Sequence, residues 1–215
     1  MGELTQTVEE YLEAMFKLAR SPDGISVSRL AAELHVAPSS ASEMLGRLAA
    51  AGFVRRSPEG GVTLTPKGER EGARLVRRHR LSERLLADLL SLPWDRVHEE
   101  ACRLEHALSP EVETLLAERL GNPATCPHGH EIPDEGGNLQ EVAARPLAEL
   151  RSGEAGVVAR VDESDPELLR YLASLGLFPD AGVTVDSVAP FGGPQLVRVG
   201  DAQYARAGRS RHASS

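Results

Sequence analysis

From Thr7 to Arg20 the apolar positions Val8, Tyr11, Leu12, Met15 and Ala19 return every three or four residues, the period of an amphipathic helix. Thr7 and Glu10 carry the spacing of a capping box at its start. Ser21-Pro22-Asp23-Gly24 then turns the chain. Leu30, Ala31 and Leu34 mark a short helix that begins after Ser26 or Ser28 and is broken by Val36-Ala37-Pro38-Ser39. A second helix is expected from Ser40, with Ala41, Met44, Leu45 and Leu48 inward and Gly52 as its C-terminal stop. Phe53 to Arg56 and Val62 to Thr65 read as strands of a β-hairpin about the turn Pro58-Glu59-Gly60-Gly61. Two short helices joined by a tight turn and followed by a hairpin make a winged helix-turn-helix.

Further along, Thr65-Pro66 is an N-cap followed by proline at the first helical position, and the pattern predicts a helix to about Leu90. Leu92-Pro93-Trp94 turns the chain. The stretch from His98 to Glu111 reads as helix. Ser109-Pro110 starts another, with Val112, Leu115, Leu116 and Leu120 apolar and Gly121 ending it; one leucine stripe more than a monomer needs implies a partner chain. ATCPHGHEIP is expected as a structural loop closing the helical part, and DEGGNLQEVAARP as a polar linker. Beyond Leu147, GVVARV, VTVDSV and QLVRV look like short strands split by the helical PELLRYLASLG, which fits a small β-barrel ending near Ala207, with GRSRHASS as a tail. The fold class is mainly α with small β parts. The expected boundaries are 1–72 for the winged helix, 73–133 for a helical domain, 134–145 for the linker, 146–207 for the barrel and 208–215 for the tail.

Composition sharpens this picture in two ways. Only two cysteines occur, Cys102 and Cys126, far apart, so no disulfide framework is expected and a reducing compartment is. The N-terminus is acidic without an apolar leader core, and no stretch approaches a membrane span, so a soluble cytoplasmic protein is expected. The net charge of −8 argues against nucleic acid until its distribution is considered. Between Ser26 and Arg80 ten Lys and Arg face five Glu, a basic module inside an acidic chain, as an electrostatic footprint on DNA requires. Small or polar residues of the helix-turn-helix (Ser28, Pro38, Ser39, Ser40, Ser42, Glu43 and Arg47) are candidates to approach a groove. Arg55, Arg56 and Lys67 at the wing's edges would hold phosphates. Glu43 also completes a Ser40-x-x-Glu43 capping box, an alternative of equal weight.

The chemistry is concentrated in HEEACRLEHALSPE. On a helix, His98, Cys102, Glu105 and His106 fall within roughly one 100° arc, so that imidazole, thiolate and carboxylate converge as metal ligands do. The zinc-hydrolase motif H-E-x-x-H is not met, because Cys102 stands where its second histidine belongs. His79 and Glu83, four apart on the preceding helix, are neighbours on one face, with His98 available to complete a set of three. Cys126, His128 and His130 are three further candidates, but their flexible Pro/Gly spacing favours a structural loop.

In order and in motif the chain resembles the diphtheria toxin repressor / manganese transport regulator family: HRLSERLL from His79 to Leu86, and His98-x-Glu-x-Ala-Cys102-x-x-Glu105-His106, behind a winged helix and before a small barrel. The resemblance implies a homodimeric repressor that binds palindromic operator DNA when loaded with Mn²⁺ or Fe²⁺, a helical dimerisation domain, and an SH3-like barrel. By position it implies Cys102, Glu105 and His106 as the primary metal site, with Glu10 as its N-terminal ligand and Glu13 as a further acidic one, and His79, Glu83 and His98 as an ancillary site to which Glu163 is the best candidate from the barrel. Cys102 is the iron-type choice and Glu10 hardens the site toward Mn²⁺, which is the metal expected first, with Fe²⁺ next. Neither an enzyme, an organic substrate nor a membrane is expected. The rival readings are a winged-helix regulator answering an organic effector and, further off, a metalloenzyme.

Overall fold

The structure, a computed structural model, describes residues 4–57, 61–140, 142–191 and 193–206; residues 58–60 of the turn expected at 58–61 and the tail expected at 208–215 lie outside these. The chain divides into two compact units. The first comprises Met1–Ser82, Ala101–Ala124 and Ile132–Gln140; the second comprises Glu83–Glu100, Thr125–Glu131 and Glu141–Ser215.

The first unit opens with α1 (Gln6–Ala19), α2 (Val27–Glu33) and α3 (Pro38–Ala50), followed by β1 (Val54–Arg56) paired antiparallel with β2 (Val62–Leu64). The N-cap of α1 is Thr5, without a side-chain hydrogen bond, so the expected Thr7–Glu10 capping box does not form. Ser26 caps α2, its hydroxyl accepting from Arg29 N at 3.3 Å. Helix α3 starts at Pro38, two residues before the expected Ser40, because an extended Ala37 hands over to a proline whose φ already suits the first turn. Ser40 thus lies inside the helix, which removes the Ser40–Glu43 capping box. Leu12, Met15, Leu30, Leu45 and Leu48 are fully buried where α1, α2 and α3 meet, joined by Phe53, Val54 and Val62 from the hairpin. Each such side chain contributes about 1.5–3 kcal/mol by leaving water.

Helix α4 (Pro66–Arg84) begins as the Thr65 hydroxyl accepts from Gly68 N at 3.2 Å. Gly72 lets it cross α1 closely: a Cβ there would lie 2.7 Å from Phe16 Cβ. The α-helix expected to Leu90 ends at Arg84 and gives way to a π-helical turn, Leu85–Leu89. Helix α5 (Val97–Leu104) is also shorter than expected. Glu105–Ala107 forms a 3-10 turn, Leu108 is extended, and Ser109 caps α6 (Pro110–Arg119). The reason is local, since Pro110 disfavours helical geometry at Ser109 and the preceding turn tightens as the helix closes. In the first unit Arg77 and Arg78 of α4 reach Glu113 of α6 at 3.5 and 3.4 Å. Val112 and Leu115 on α6 stay exposed. Asp134–Gln140 folds onto the same unit, with Leu139 against Phe16, Ala73 and Val76.

In the second unit β3 (Ala155–Val157), β4 (Gly182–Val188), β5 (Gln195–Val199) and β6 (Ala202–Arg206) form one antiparallel sheet in chain order. Strand β3 takes only the start of GVVARV, and β6, with little β-branched character, was not legible from periodicity. Helix α7 (Pro166–Ser174) is capped by Asp165, whose carboxylate accepts from Glu167 N and Leu168 N. Leu177, Val183 and Val197 form the buried centre. The loop from Thr125 to Glu131 doubles back through Cys126 N to His130 O, 2.8 Å. It is fastened to the barrel segment by Val161 N to His128 O, 3.0 Å, and by His130 Nε2 donating to Val161 O, 2.9 Å. Gly129 makes that contact possible: φ is +89°, and a Cβ would fall 2.1 Å from Ala159 O.

Candidate metal centres

The first cluster is assembled within the first unit from α1, α4 and the turn after α5. His79 is completely buried and its Nδ1 lies 2.5 Å from Glu105 Oε2 and 3.8 Å from Glu13 Oε1. Glu105 Oε1 is in turn 3.3 Å from His106 Nε2, and His106 Nδ1 is 2.8 Å from Glu9 Oε2. The Cys102 thiol, on the exposed side of α5, lies within 4.8 Å of a His79 ring nitrogen. Three carboxylates, two imidazoles and a thiol thus alternate along one seam. Burial raises the Glu105 pKa to about 7, while hydrogen bonding from His79 opposes the rise. At Glu13 burial pulls upward too, but Lys17 at 2.8 Å and His79 prevail and lower it to about 2. One carboxyl therefore keeps a proton to near neutrality while the other is ionised.

Of the α1 acids, Glu13 joins the seam and Glu10 points elsewhere. Glu10 accepts from Gln6 Nε2 at 3.0 Å and lines an open depression between α1 and α3 with Tyr11, Ser40, Glu43 and Arg47. Glu9, which the sequence reading did not single out, is the acid that touches His106. Nothing in helical periodicity separates two adjacent glutamates; only the roll of α1 on its core does.

The second cluster lies within the second unit. Glu83 is fully buried, and its Oε1 is 3.2 Å from His98 Nδ1 and 3.5 Å from His128 Nδ1. Glu163 reaches His98 Nδ1 at 3.7 Å and His128 Nδ1 at 3.5 Å. Cys126 is buried with Sγ 4.0 Å from Glu163 Oε2. His79 of the expected ancillary set belongs to the first unit, whereas Cys126 and His128, read from sequence as parts of a structural loop, join Glu83, His98 and Glu163. The fit to a cation rests on His128. Its Nε2 donates to Trp94 O at 3.1 Å, which fixes the tautomer, and its buried Nδ1 makes no hydrogen bond while facing two carboxylates. A neutral ring would aim a lone pair at two anions, so a positive charge, either a bound cation or a second ring proton, belongs between them. Burial opposes an imidazolium, yet Cys126, Glu163 and Glu83 outweigh it and push the His128 pKa up to about 12. Burial first, and the Glu83 charge next, push the Cys126 thiol up to about 11. Separations of 3.2–3.7 Å match the edges between ligands whose bonds to a divalent ion are ~2.0–2.2 Å.

On the winged helix, Ser28, Pro38, Ser39, Ser40, Glu43 and Arg47 are exposed and Ser42 half-buried. Arg55 and Arg56 are exposed on β1. Lys67 is held within the domain, donating to Ala51 O at 3.0 Å and lying over the Phe53 ring.

Comparison with known proteins fits these parts. Residues 3–62 match the iron dependent repressor N-terminal DNA binding domain, 65–134 the iron dependent repressor metal binding and dimerisation domain, and 145–210 the FeoA domain. The chain is 35% identical over 213 residues to the iron-dependent repressor IdeR of Mycobacterium tuberculosis, covering 92% of this chain and 90% of that one. It is 33% identical over 190 residues to the diphtheria toxin repressor of Corynebacterium glutamicum, covering 86% and 83%. A manganese-dependent transcriptional repressor solved in complex with manganese superposes with a TM-score of 0.87 at 37% identity, over 93% of this chain and 94% of that one. The manganese-activated repressor ScaR in its apo form superposes at 0.78 with 29% identity, over 92% and 94%. Matches to a DNA binding domain, to a metal binding and dimerisation domain and to a FeoA domain, in that order, and 35% identity over nearly the whole chain place it in the iron-dependent repressor family together with the diphtheria toxin repressor and IdeR.

Proposed function

We propose that this chain is a metal-responsive transcriptional repressor that, loaded with Mn²⁺ or Fe²⁺, binds palindromic operator DNA as a homodimer, and that it is not an enzyme. The observation that carries the reading is the seam of Glu9, Glu13, His79, Glu105 and His106, because it joins the first helix of the reading head to α4 and to the turn after α5. Helix α1 packs through Leu12 and Met15 on the helices of the winged helix, so whatever fixes α1 orients α3. Cys102, Glu105 and His106, with Glu13 from α1, are the residues proposed to hold the primary ion, and Glu10 is proposed to complete the set by turning away from Gln6. Glu83, His98 and Glu163 are proposed for the ancillary one. The ion supplies positive charge among carboxylates that would otherwise repel. Without it, Glu105 keeps its proton and His106 pairs with Glu9, which leaves α1 tied by weaker, proton-dependent contacts. Imidazole and carboxylate donors suit Mn²⁺, and the single thiol also admits Fe²⁺.

At the reading head, Ser28, Pro38, Ser39, Ser40, Ser42, Glu43 and Arg47 are proposed to meet base edges and backbone in the major groove. Arg55, Arg56 and Lys67 are proposed for phosphates. Two such heads in a dimer must stand about one helical turn, ~34–36 Å, apart to read one palindrome. Val112 and Leu115 on α6 are the apolar residues left for a partner chain.

The test is operator-fragment binding by fluorescence anisotropy, titrated separately with Mn²⁺ and anaerobic Fe²⁺ and reversed with chelator. Binding that rises at least tenfold with either ion and is lost on chelation is expected. Binding indifferent to chelator would overturn the reading in favour of a regulator answering an organic effector.

A further inference from the structure

Helix α3 buries one face and exposes the other. Ala41, Met44, Leu45 and Leu48 enter the core, whereas Ser39, Ser40, Glu43 and Arg47 return about one turn apart on the exposed side. Glu43 stands out among them because no structural duty holds it. Ala37 precedes the helix without a side-chain hydrogen bond and Ser40 lies inside it, so Glu43 serves in no capping box. Among the described residues the Glu43 side chain has neither hydrogen bond nor ion pair, and Arg47, four residues on, does not pair with it. A carboxylate on a face that closes on nucleic acid costs free energy when water leaves it, unless the groove supplies a donor.

The edges of the bases decide which donor that is. In the major groove guanine offers the acceptors N7 and O6, and thymine the acceptor O4 and a methyl group. Adenine sets its N6 donor beside the acceptor N7, whereas cytosine offers its N4 amino group with no acceptor of its own. A carboxylate only accepts, so it gains at cytosine, is opposed by N7 at adenine, and is repelled by guanine and thymine. The serine hydroxyls of the same face both donate and accept, and they discriminate little. Arg47 sets a positive charge one turn along, which offsets the approach of Glu43 to the phosphates.

We propose that Glu43 is a specificity-determining residue of the reading head, its carboxylate accepting from the N4 amino group of one cytosine in each half-site. The inference rests on the operator-binding reading and deepens it by naming a base that the operator must contain. Selection here acts chiefly by rejection. A wrong base leaves a desolvated charge facing acceptors, a penalty larger than the gain of the right contact.

Selection from a pool of random duplexes by the full chain loaded with Mn²⁺, followed by sequencing, tests the proposal. The unaltered chain is expected to enrich cytosine at one position of each half-site, on strands related by the two-fold axis. Any other base there should weaken binding about tenfold. Glu43→Gln is expected to move the preference at that position alone to adenine, whose N6 and N7 suit an amide. Glu43→Ala should leave that position indifferent while every other position keeps its preference. Because Glu43 is exposed, both variants should match the unaltered chain in thermal melting and in bound metal, which separates lost reading from lost fold. Preferences that stay the same at every position in both variants would overturn the proposal and leave the regulator standing. Release of a base other than cytosine in Glu43→Ala would overturn it too. Enrichment of cytosine that ignores chelator would count against the metal-responsive reading and leave the role of Glu43 intact, whereas enrichment of no sequence with Mn²⁺ or Fe²⁺ would sink both.

Discussion

At the scale of single residues the seam is governed by where protons sit. Glu105, held near pKa 7 by burial, keeps in the folded chain a proton that the unfolded chain has released above about 4.5. Between these values the native state binds more protons than the unfolded one, so stability falls as pH rises through the window and the loss is complete above about 7. Thermal melts of the metal-free chain at pH 5 and 7.5 should show this decline, and Glu105→Gln should shrink it to the part that His128, raised from 6.5 to about 12, contributes. Glu13 acts in the opposite sense. Lowered to about 2, it lends stability above 4.5 that disappears only in stronger acid, outside that window. The α1 acids give a second prediction. Glu10→Ala is expected to remove metal-dependent operator binding, a loss of at least tenfold, with fold and dimer intact. Retained binding, together with a loss in Glu9→Gln, would transfer that role to the acid that touches His106 at 2.8 Å.

At the scale of elements, the wing offers the cleanest measurement. Arg55 and Arg56 are exposed on β1, outside α3, and are proposed to hold phosphates, so each alanine variant should weaken binding uniformly across operator sequences. Each should also reduce the logarithmic salt slope by about one. Lys67, already donating to Ala51 O, should change the slope less. Much of this level was legible in the chain itself. Three-to-four spacings made α1, α2 and α3 legible, because their buried residues share one face, and the hairpin was legible from the turn residues between two short apolar runs. What escaped has a physical origin. The start of α3 moved to Pro38 because proline at the first turn outweighs serine as a cap two residues later. The His98–Glu111 stretch carries helical spacing past the point where Pro110 forces the chain out of helix, so Glu105 and His106 stand on a tighter turn than the arc assumed. Strand β6 has no apolar alternation to announce it and owes its place to pairing with β5.

At the scale of the whole molecule, the donors that matter most come from segments far apart in the chain. Glu83, Cys126, His128 and Glu163 meet only once the loop and the barrel segment have been fastened together. Local spacing could find HEEACRLEH, where the ligands share one short stretch, and had no means of joining Cys126 to a glutamate in the barrel. That fastening depends on a hydrogen atom. Gly129 sits against Ala159 O with no room for a methyl group, on a backbone twist that side chains resist. Gly129→Ala should therefore withdraw His128 and Cys126 from their partners and cost the second unit its metal, read as lost ions per chain, while the seam of Glu105 and His106 in the first unit stays loaded. One added carbon would then act as a fuse between two sensors on a single chain, separating what each contributes to the response without a change in any donor.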